Sequence, residues 1–161
     1  MRSPSIRAAT LSDVDRLVAL ETDSFGSDRL SARSFRRLIR SASAACRVIR
    51  DGVEVLGYYI LLFRAGTGVA RLYSIAVDPR HRGRGLAAAL LADAEAETRD
   101  RGRERLHLEV REDNPAAIRL YERLGYTLKR RCPGYYADGG DGRRYLKRLA
   151  GSLAGGQDSD A

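Results

Sequence analysis

From Asp78 to Leu91 the chain reads Asp-Pro-Arg-His-Arg-Gly-Arg-Gly-Leu-Ala-Ala-Ala-Leu-Leu. An apolar strand ends there, and a basic glycine turn feeds an Ala/Leu helix. A helix start offers unpaired backbone N–H groups and a partial positive charge, which together suit a phosphate. Gly83 and Gly85 leave out the side chains that would hold a diphosphate away from Gly83, Arg84, Gly85, Leu86, Ala87 and Ala88. Arg82 and Arg84 add fixed charge beside them. The turn lacks the Gly-Lys-Ser/Thr of a P-loop. It also lacks the third glycine and the later ribose-binding acid of a dinucleotide fold.

A second set of candidates follows. Glu109 lies in Leu106-His-Leu-Glu-Val110, on the opposite face from the three apolar residues, so a carboxylate projects from mid-strand. Asn114 suits a helix N-cap and Pro115 the first helical position. Tyr121 is seven residues on, two turns along the same face. A carboxylate and a phenol in adjacent elements can take and give a proton. On pattern alone, His107, Glu109 and Arg111 also suit a solvated sheet face, and Tyr121 a core stripe with Ile118 and Leu124. Cys46 and Cys132 have neither metal nor redox spacing, so no metal site is expected.

These residues need a scaffold, and the periodicity supplies one. Strands are predicted at Ile6–Ala9, Ala44–Arg50, Val55–Arg64, Val69–Val77, Leu106–Val110, Tyr126–Arg131 and Arg143–Leu149. Asp51-Gly52 and the turn Gly66-Thr-Gly68 join the second, third and fourth. Four helices are predicted. The first begins at a Thr10–Asp13 cap and carries Leu17, Val18, Leu20 and Phe25. The second is capped by Ser31, the third runs from the glycine turn to about Arg101, and the fourth runs from Pro115 to Gly125. The expected architecture is α/β: one three-layer domain over residues 1–150, with a mixed, mostly antiparallel sheet of about seven strands. Residues 151–161 read as a flexible tail.

At 161 residues the chain fits one domain. No apolar run reaches the ~20 residues of a membrane span, and no secretory h-region opens the sequence, so a cytoplasmic protein is expected. The net charge is +8, and with lysine confined to Lys129 and Lys147, arginine supplies the other 27 basic residues. Such a surface attracts anions, though an arginine-rich composition alone produces it too. No aromatic/basic RNA-recognition motif accompanies the charge.

Arg82-x-x-Gly85-x-Ala87, after Ile75-Ala76-Val77-Asp78-Pro79, resembles the pyrophosphate loop of the GNAT acetyltransferase superfamily. Leu108-Glu-Val-Arg-Glu-Asp-Asn114 and Ala117-Ile-Arg-Leu-Tyr-Glu-Arg-Leu-Gly-Tyr126 are similar to the ribosomal-protein-alanine N-acetyltransferases. The resemblance covers about residues 5–149 and implies acetyl-CoA as co-substrate. It implies acetyl transfer to a primary amine by direct attack in a ternary complex. Glu109 would be the base, acting through a water or with a raised pKa, and Tyr121 the acid. The backbone of Ile75, Ala76 and Val77 would hold the acetyl carbonyl and pantetheine, with Asn114 hydrogen-bonding the arm.

Tyr135-Tyr136-Ala-Asp138-Gly-Gly-Asp141 resembles the hairpin that covers the peptide in protein N-terminal acetyltransferases. Tyr135, Tyr136 and Asp138, with Phe25 from the segment Thr22–Leu30, are therefore expected to line the acceptor. Three departures stand out: Gly140 where relatives often carry Glu, the extra Gly142, and Phe25-Gly26-Ser27 without Pro-Trp/Phe. A basic acceptor would need Asp138, Asp141 and Glu109 to make the pocket locally acidic. The expected acceptor is a protein or peptide N-terminal α-amine, with a small amine as the second enzyme reading. A non-catalytic acyl-CoA-binding or RNA-associated module is the reading of another class, and either a monomer or a homodimer is compatible.

Overall fold

The computed structural model describes residues 3–26 and 29–149. The predicted tail and residues Ser27 and Asp28 of the first acceptor segment lie outside the described residues. Seven strands form one sheet, β1 (Ser5–Ala8), β2 (Ala44–Asp51), β3 (Glu54–Phe63), β4 (Val69–Val77), β5 (Arg105–Arg111), β6 (Thr127–Cys132) and β7 (Gly142–Arg148). Their spatial order is β1-β2-β3-β4-β5-β7-β6. Every pairing is antiparallel except β4 with β5. The predicted mixed sheet and helices are therefore present, with boundaries moved by one or two residues.

Helices α1 (Val14–Ser24) and α2 (Ala32–Arg40) cover one face, and α3 (Leu86–Asp100) and α4 (Pro115–Arg123) the other. Local chemistry sets their starts. Thr10 and Asp13 form a reciprocal capping box around a short 3-10 turn at Leu11–Asp13. Ser31 accepts from the Ser34 N–H at 3.1 Å, and Asn114 from the Ala117 N–H at 3.2 Å. Phe25, expected within the first helix, is its extended C-cap instead. At the end of β4 the Asp78 carboxylate accepts from the Arg80 N–H at 2.9 Å, which turns the chain into Pro79–His81.

Two cores result. Leu72, Leu90, Leu91, Leu106, Leu108 and Tyr145 pack beneath α3 and α4. Leu17, Leu20, Phe35, Val48, Tyr58 and Ile60 pack beneath α1 and α2. The face under α1 and α2 is covered only over its β1–β4 half, which leaves β5, β7 and β6 open on that side.

One irregularity shapes the centre of the sheet. Ile60 pairs with Ser74 but Leu61 with Leu72, so Tyr73 is an extra residue in β4. Such a bulge inverts the alternation beyond it. Ala70 and Leu72 face the α3/α4 core before the bulge, whereas after it Ala76 joins the α1/α2 core and Ile75 and Val77 face the other. The parallel ladder with β5 also ends there, covering only Val69–Leu72 against Arg105–Leu108. Beyond Leu72, β4 stays with β3 while β5 stays with β7.

Candidate active site

The gap between β4 and β5 exposes one backbone edge of β4 over Tyr73–Val77, among them Ile75, Ala76 and Val77, without a ladder partner on that side. Its upper end meets the start of α3. Gly83 and Gly85 hold φ of +80° and +76°, and a Cβ at either would point into open space. The left-handed backbone, rather than crowding, is what requires glycine there. Gly85 is the N-cap and brings no side-chain cap; the first bond of the helix runs from the Ala89 N–H to the Gly85 carbonyl at 3.0 Å. The N–H groups of Leu86, Ala87 and Ala88 are therefore the orphan donors of this helix start. A bare, concave main-chain cradle fits a diphosphate. Arg82 is exposed beside it. Arg84 instead turns aside, 2.9 Å from His81 Nδ1 and 3.6 Å from Asp51.

Glu109 and Tyr121 lie on opposite faces of the sheet. Leu108 and Val110 pack in the α3/α4 core, and Tyr121 is buried there with Tyr126 edge-on at 5.9 Å and Tyr145 at 6.5 Å. Glu109 projects from the other face. Its side chain is 5% exposed and accepts from Arg71 Nε at 3.0 Å and Arg144 Nε at 2.7 Å, with His107 Nδ1 at 3.5 Å. Burial works against the charge, but the His107 hydrogen bond and the two guanidinium groups outweigh it and hold the carboxyl down at about 2. The expectation of a raised pKa is therefore corrected, because the sequence spacing did not reveal the cations brought in from β4 and β7. Burial pushes the Tyr121 phenol up from its ordinary value.

A model described as the acetyltransferase (GNAT) family matches residues 14–126. The chain belongs to this family. The GNAT resemblance rests on most of the chain. An N-alpha-acetyltransferase RimI of Mycobacterium tuberculosis is 32% identical over 153 residues, covering 91% of this chain and 93% of that protein. An uncharacterized protein of Mycobacterium leprae is 36% identical over 149 residues; these cover 90% of this chain, which spans only 40% of that relative. The crystal structure of the ribosomal-protein-S18-alanine N-acetyltransferase from Escherichia coli superposes with a TM-score of 0.82 at 27% identity, covering 98% of this chain and 100% of that one. Membership makes the protein an acyltransferase with acetyl-CoA as co-substrate.

In this GNAT domain the β6–β7 hairpin, expected to line the acceptor, is held by side-chain contacts. Tyr135 and Tyr136 stack edge to face at 5.0 Å, and the Tyr135 hydroxyl accepts from Arg71 Nη2 at 2.9 Å. Asp138 accepts from Arg111 at 2.6 and 2.8 Å and from the Gly140 N–H, and Arg111 lies 4.5 Å over the Tyr136 ring. Gly140 and Gly142 supply room, not looseness. A Cβ at 140 would lie 2.5 Å from Arg111 Nη2, and one at 142 would lie 3.2 Å from the Tyr136 ring. The locally acidic pocket that a basic acceptor would need is not formed. Asp138 and Glu109 are each paired with arginine, and Asp141 accepts from the Gly134 N–H at 2.8 Å. Phe25 is partly buried against the α1/α2 core, at the mouth of the same segment.

Glu21 escaped sequence reasoning. It is 2% exposed, accepts from the Tyr58 hydroxyl and from the Leu30 N–H at 2.8 Å, and has Ser74 Oγ at 3.4 Å. Burial raises its pKa, the opposite of Glu109. It thereby ties the α1–α2 segment to the bulge of β4. The available signal was an acid inside the buried stripe Leu17, Leu20, Glu21 at helical spacing. Arg71 and Arg144 gave no comparable signal among so many arginines. Among the described residues, no helix is long and apolar enough to cross a membrane.

Proposed function

We propose that the protein acetylates the N-terminal α-amine of a protein or peptide by direct attack in a ternary complex. The observation that carries this reading is the open gap in the sheet, with Glu109 on one face of β5 and Tyr121 on the other. Acetyl-CoA supplies the acyl group as a thioester. The Leu86–Ala88 N–H groups bind its diphosphate, the free β4 edge aligns the pantetheine, and Asn114 adds a side-chain contact. Tyr121 donates a hydrogen bond to the departing sulfur. With its pKa pushed further up, it stabilises a thiolate better than it surrenders a proton.

Glu109, ionised and clamped, holds a water or the incoming ammonium group and is a weak base in itself. A weak base suits an α-amine, with a pKa of about 7.7–8.0, better than a lysine or polyamine near 10.4. Relatives named for α-amine and ribosomal-protein-alanine acetylation support the same acceptor. A covalent cysteine route has no support. Both cysteines are buried, and burial drives the Cys46 thiol up to about 12.

The test is acetyl-CoA turnover over N-terminal peptides, spermidine and free amino acids, with initial rates measured against both substrates. Peptide turnover with intersecting double-reciprocal lines is expected, with kcat/KM rising through the amine pKa near 8. Turnover confined to small amines would overturn the acceptor, and parallel lines the ternary complex.

A further inference from the structure

The half of the sheet that α1 and α2 leave open holds a groove of about 730 Å³ running along β4, β5 and β7. Its floor is aliphatic, from Leu62, Val69 and Leu146. Its walls are cationic. Arg64, Arg105 and Lys129 line it, and among the described residues none of the three has a carboxylate partner. At its upper end Arg71 and Arg144 also line the groove while holding Glu109, and Arg71 reaches Tyr135. The groove therefore opens at the residues around the proposed acceptor amine. Unpaired guanidinium groups over an aliphatic floor constitute a binding preference, because a cation lining a groove contributes most when an anion meets it there.

We propose that this groove receives the acceptor polypeptide beyond its reacting amine and selects acidic side chains there. This rests on the polypeptide-acceptor reading above. From Glu109 to Arg105 is four residues of β5, about 13 Å, so the groove spans about four residues of an extended acceptor. Acidic side chains at about the third to fifth acceptor positions reach Arg105, Lys129 and Arg64. Apolar atoms of the same residues cover Leu62 and Leu146. The lower end of the groove is Ser43, just beyond α2, whose exposed face carries Arg33, Arg36, Arg37 and Arg40. These stand at i, i+3, i+4 and i+7, a single stripe. The basic surface thus continues beyond the groove toward the body of a folded acidic acceptor.

A nucleic acid fits the groove less well. It offers no free ring for a base to stack on, since Arg101 and Arg103 cover Phe63 and His107 faces Glu109. A basic acceptor tail fits worst, with the carboxylates at the mouth already paired.

The experiment uses the full chain and three peptides that share Ser-Ala at the start, followed by Glu-Glu-Glu, Gln-Gln-Gln or Lys-Lys-Lys. Thiol release at saturating acetyl-CoA gives kcat/KM for each. The acidic tail should exceed the neutral one by about tenfold, mainly in KM, as three weak exposed ion pairs allow. The advantage should shrink between 0.05 and 0.5 M salt. Arg105→Glu with Lys129→Glu should erase or reverse the order while the KM for acetyl-CoA and the circular-dichroism melt stay unchanged. Equal turnover of all three tails, or preference for lysine, overturns the groove assignment and leaves the polypeptide reading standing. Turnover of small amines with none of peptides removes both. If a short RNA competes with peptide and the double variant relieves that competition while tails make no difference, the groove belongs to nucleic acid and the proposal fails.

Discussion

The two faces of the sheet at the β4–β5 gap offer different means of recognition to the ligands proposed for them. On the α3 side the contacts offered are main-chain: orphan N–H groups over a turn whose glycines hold φ near +80°. On the α1/α2 side they are side-chain, and already paired, with Glu109 between two arginines and Asp138 on Arg111. In the proposed reaction the main-chain cradle takes the diphosphate common to every cycle. A network of charged side chains can be retuned for each acceptor without disturbing it. The comparison predicts that damage on the first side abolishes all turnover, whereas damage on the second changes which acceptor is used and how well.

The largest effect is expected from Gly85→Glu. A side chain at φ +76° is strained, and a carboxylate would fill the cradle with the charge of the ligand it binds. Acetyl-CoA binding by calorimetry should be lost, and turnover with every acceptor should fall by about 10³-fold or more. Retained affinity in a folded variant would remove the cradle from the account. Tyr121→Phe comes next. It keeps the ring packing against Tyr126 and Tyr145, so acetyl-CoA should still bind while kcat drops by about 10²-fold. A drop shared equally by peptide and small-amine acceptors would tie Tyr121 to the thioester side; an unchanged kcat would take it out of the mechanism.

The same division explains what the sequence revealed. The cradle was legible because glycine spacing, a strand end and an Ala/Leu helix are contiguous and each has one physical meaning. Glu109, Asn114 and Tyr121 were legible as a pattern for the same reason, within thirteen consecutive positions of the chain. The clamp was not. Arg71 and Arg144 are 38 and 35 residues from Glu109 in sequence, and nothing local marks them among 27 arginines. The bulge at Tyr73 was invisible for a related reason: a one-residue register shift appears only when β3 is laid against β4. Gly140 and Gly142 stand out in the sequence only as departures from the resembled hairpin, since a sequence does not show which side chains need the space that a glycine leaves.

Glu109 gives a sharper test of the acceptor side through pH. Its folded-state pKa of about 2 lies below the ordinary value near 4.3, so the ionised clamp stabilises the fold above about pH 4.3. That contribution is lost as pH falls toward 2. Glu109→Gln should therefore cost about 1–3 kcal/mol at pH 7, discounted for the partly exposed arginines, and progressively less against wild type at pH 4 and 3. Urea midpoints across that range measure it. A pH-independent difference would mean that packing, not charge, holds this strand pair together.

The smallest effect is expected from Gly140→Ala, and it separates the two sides most cleanly. The added Cβ would lie 2.5 Å from Arg111 Nη2, closer than real contacts come, and 3.0 Å from Asp138 Oδ1, tighter than most. Both are ends of flexible side chains and the backbone at 140 needs no positive φ, so the fold adjusts and thermal stability should change by less than about 1 kcal/mol. The adjustment is bought by separating Arg111 from Asp138, which releases the hairpin that carries Tyr135 and Tyr136. The KM for the acceptor should then rise about three- to tenfold, because a loosened loop must be ordered at each binding event. The KM for acetyl-CoA should stay at its wild-type value, since the cradle shares no side chain with the hairpin. If both KM values rise together, the hairpin and the cradle are coupled, and recognition on the two sides of the gap is not independent.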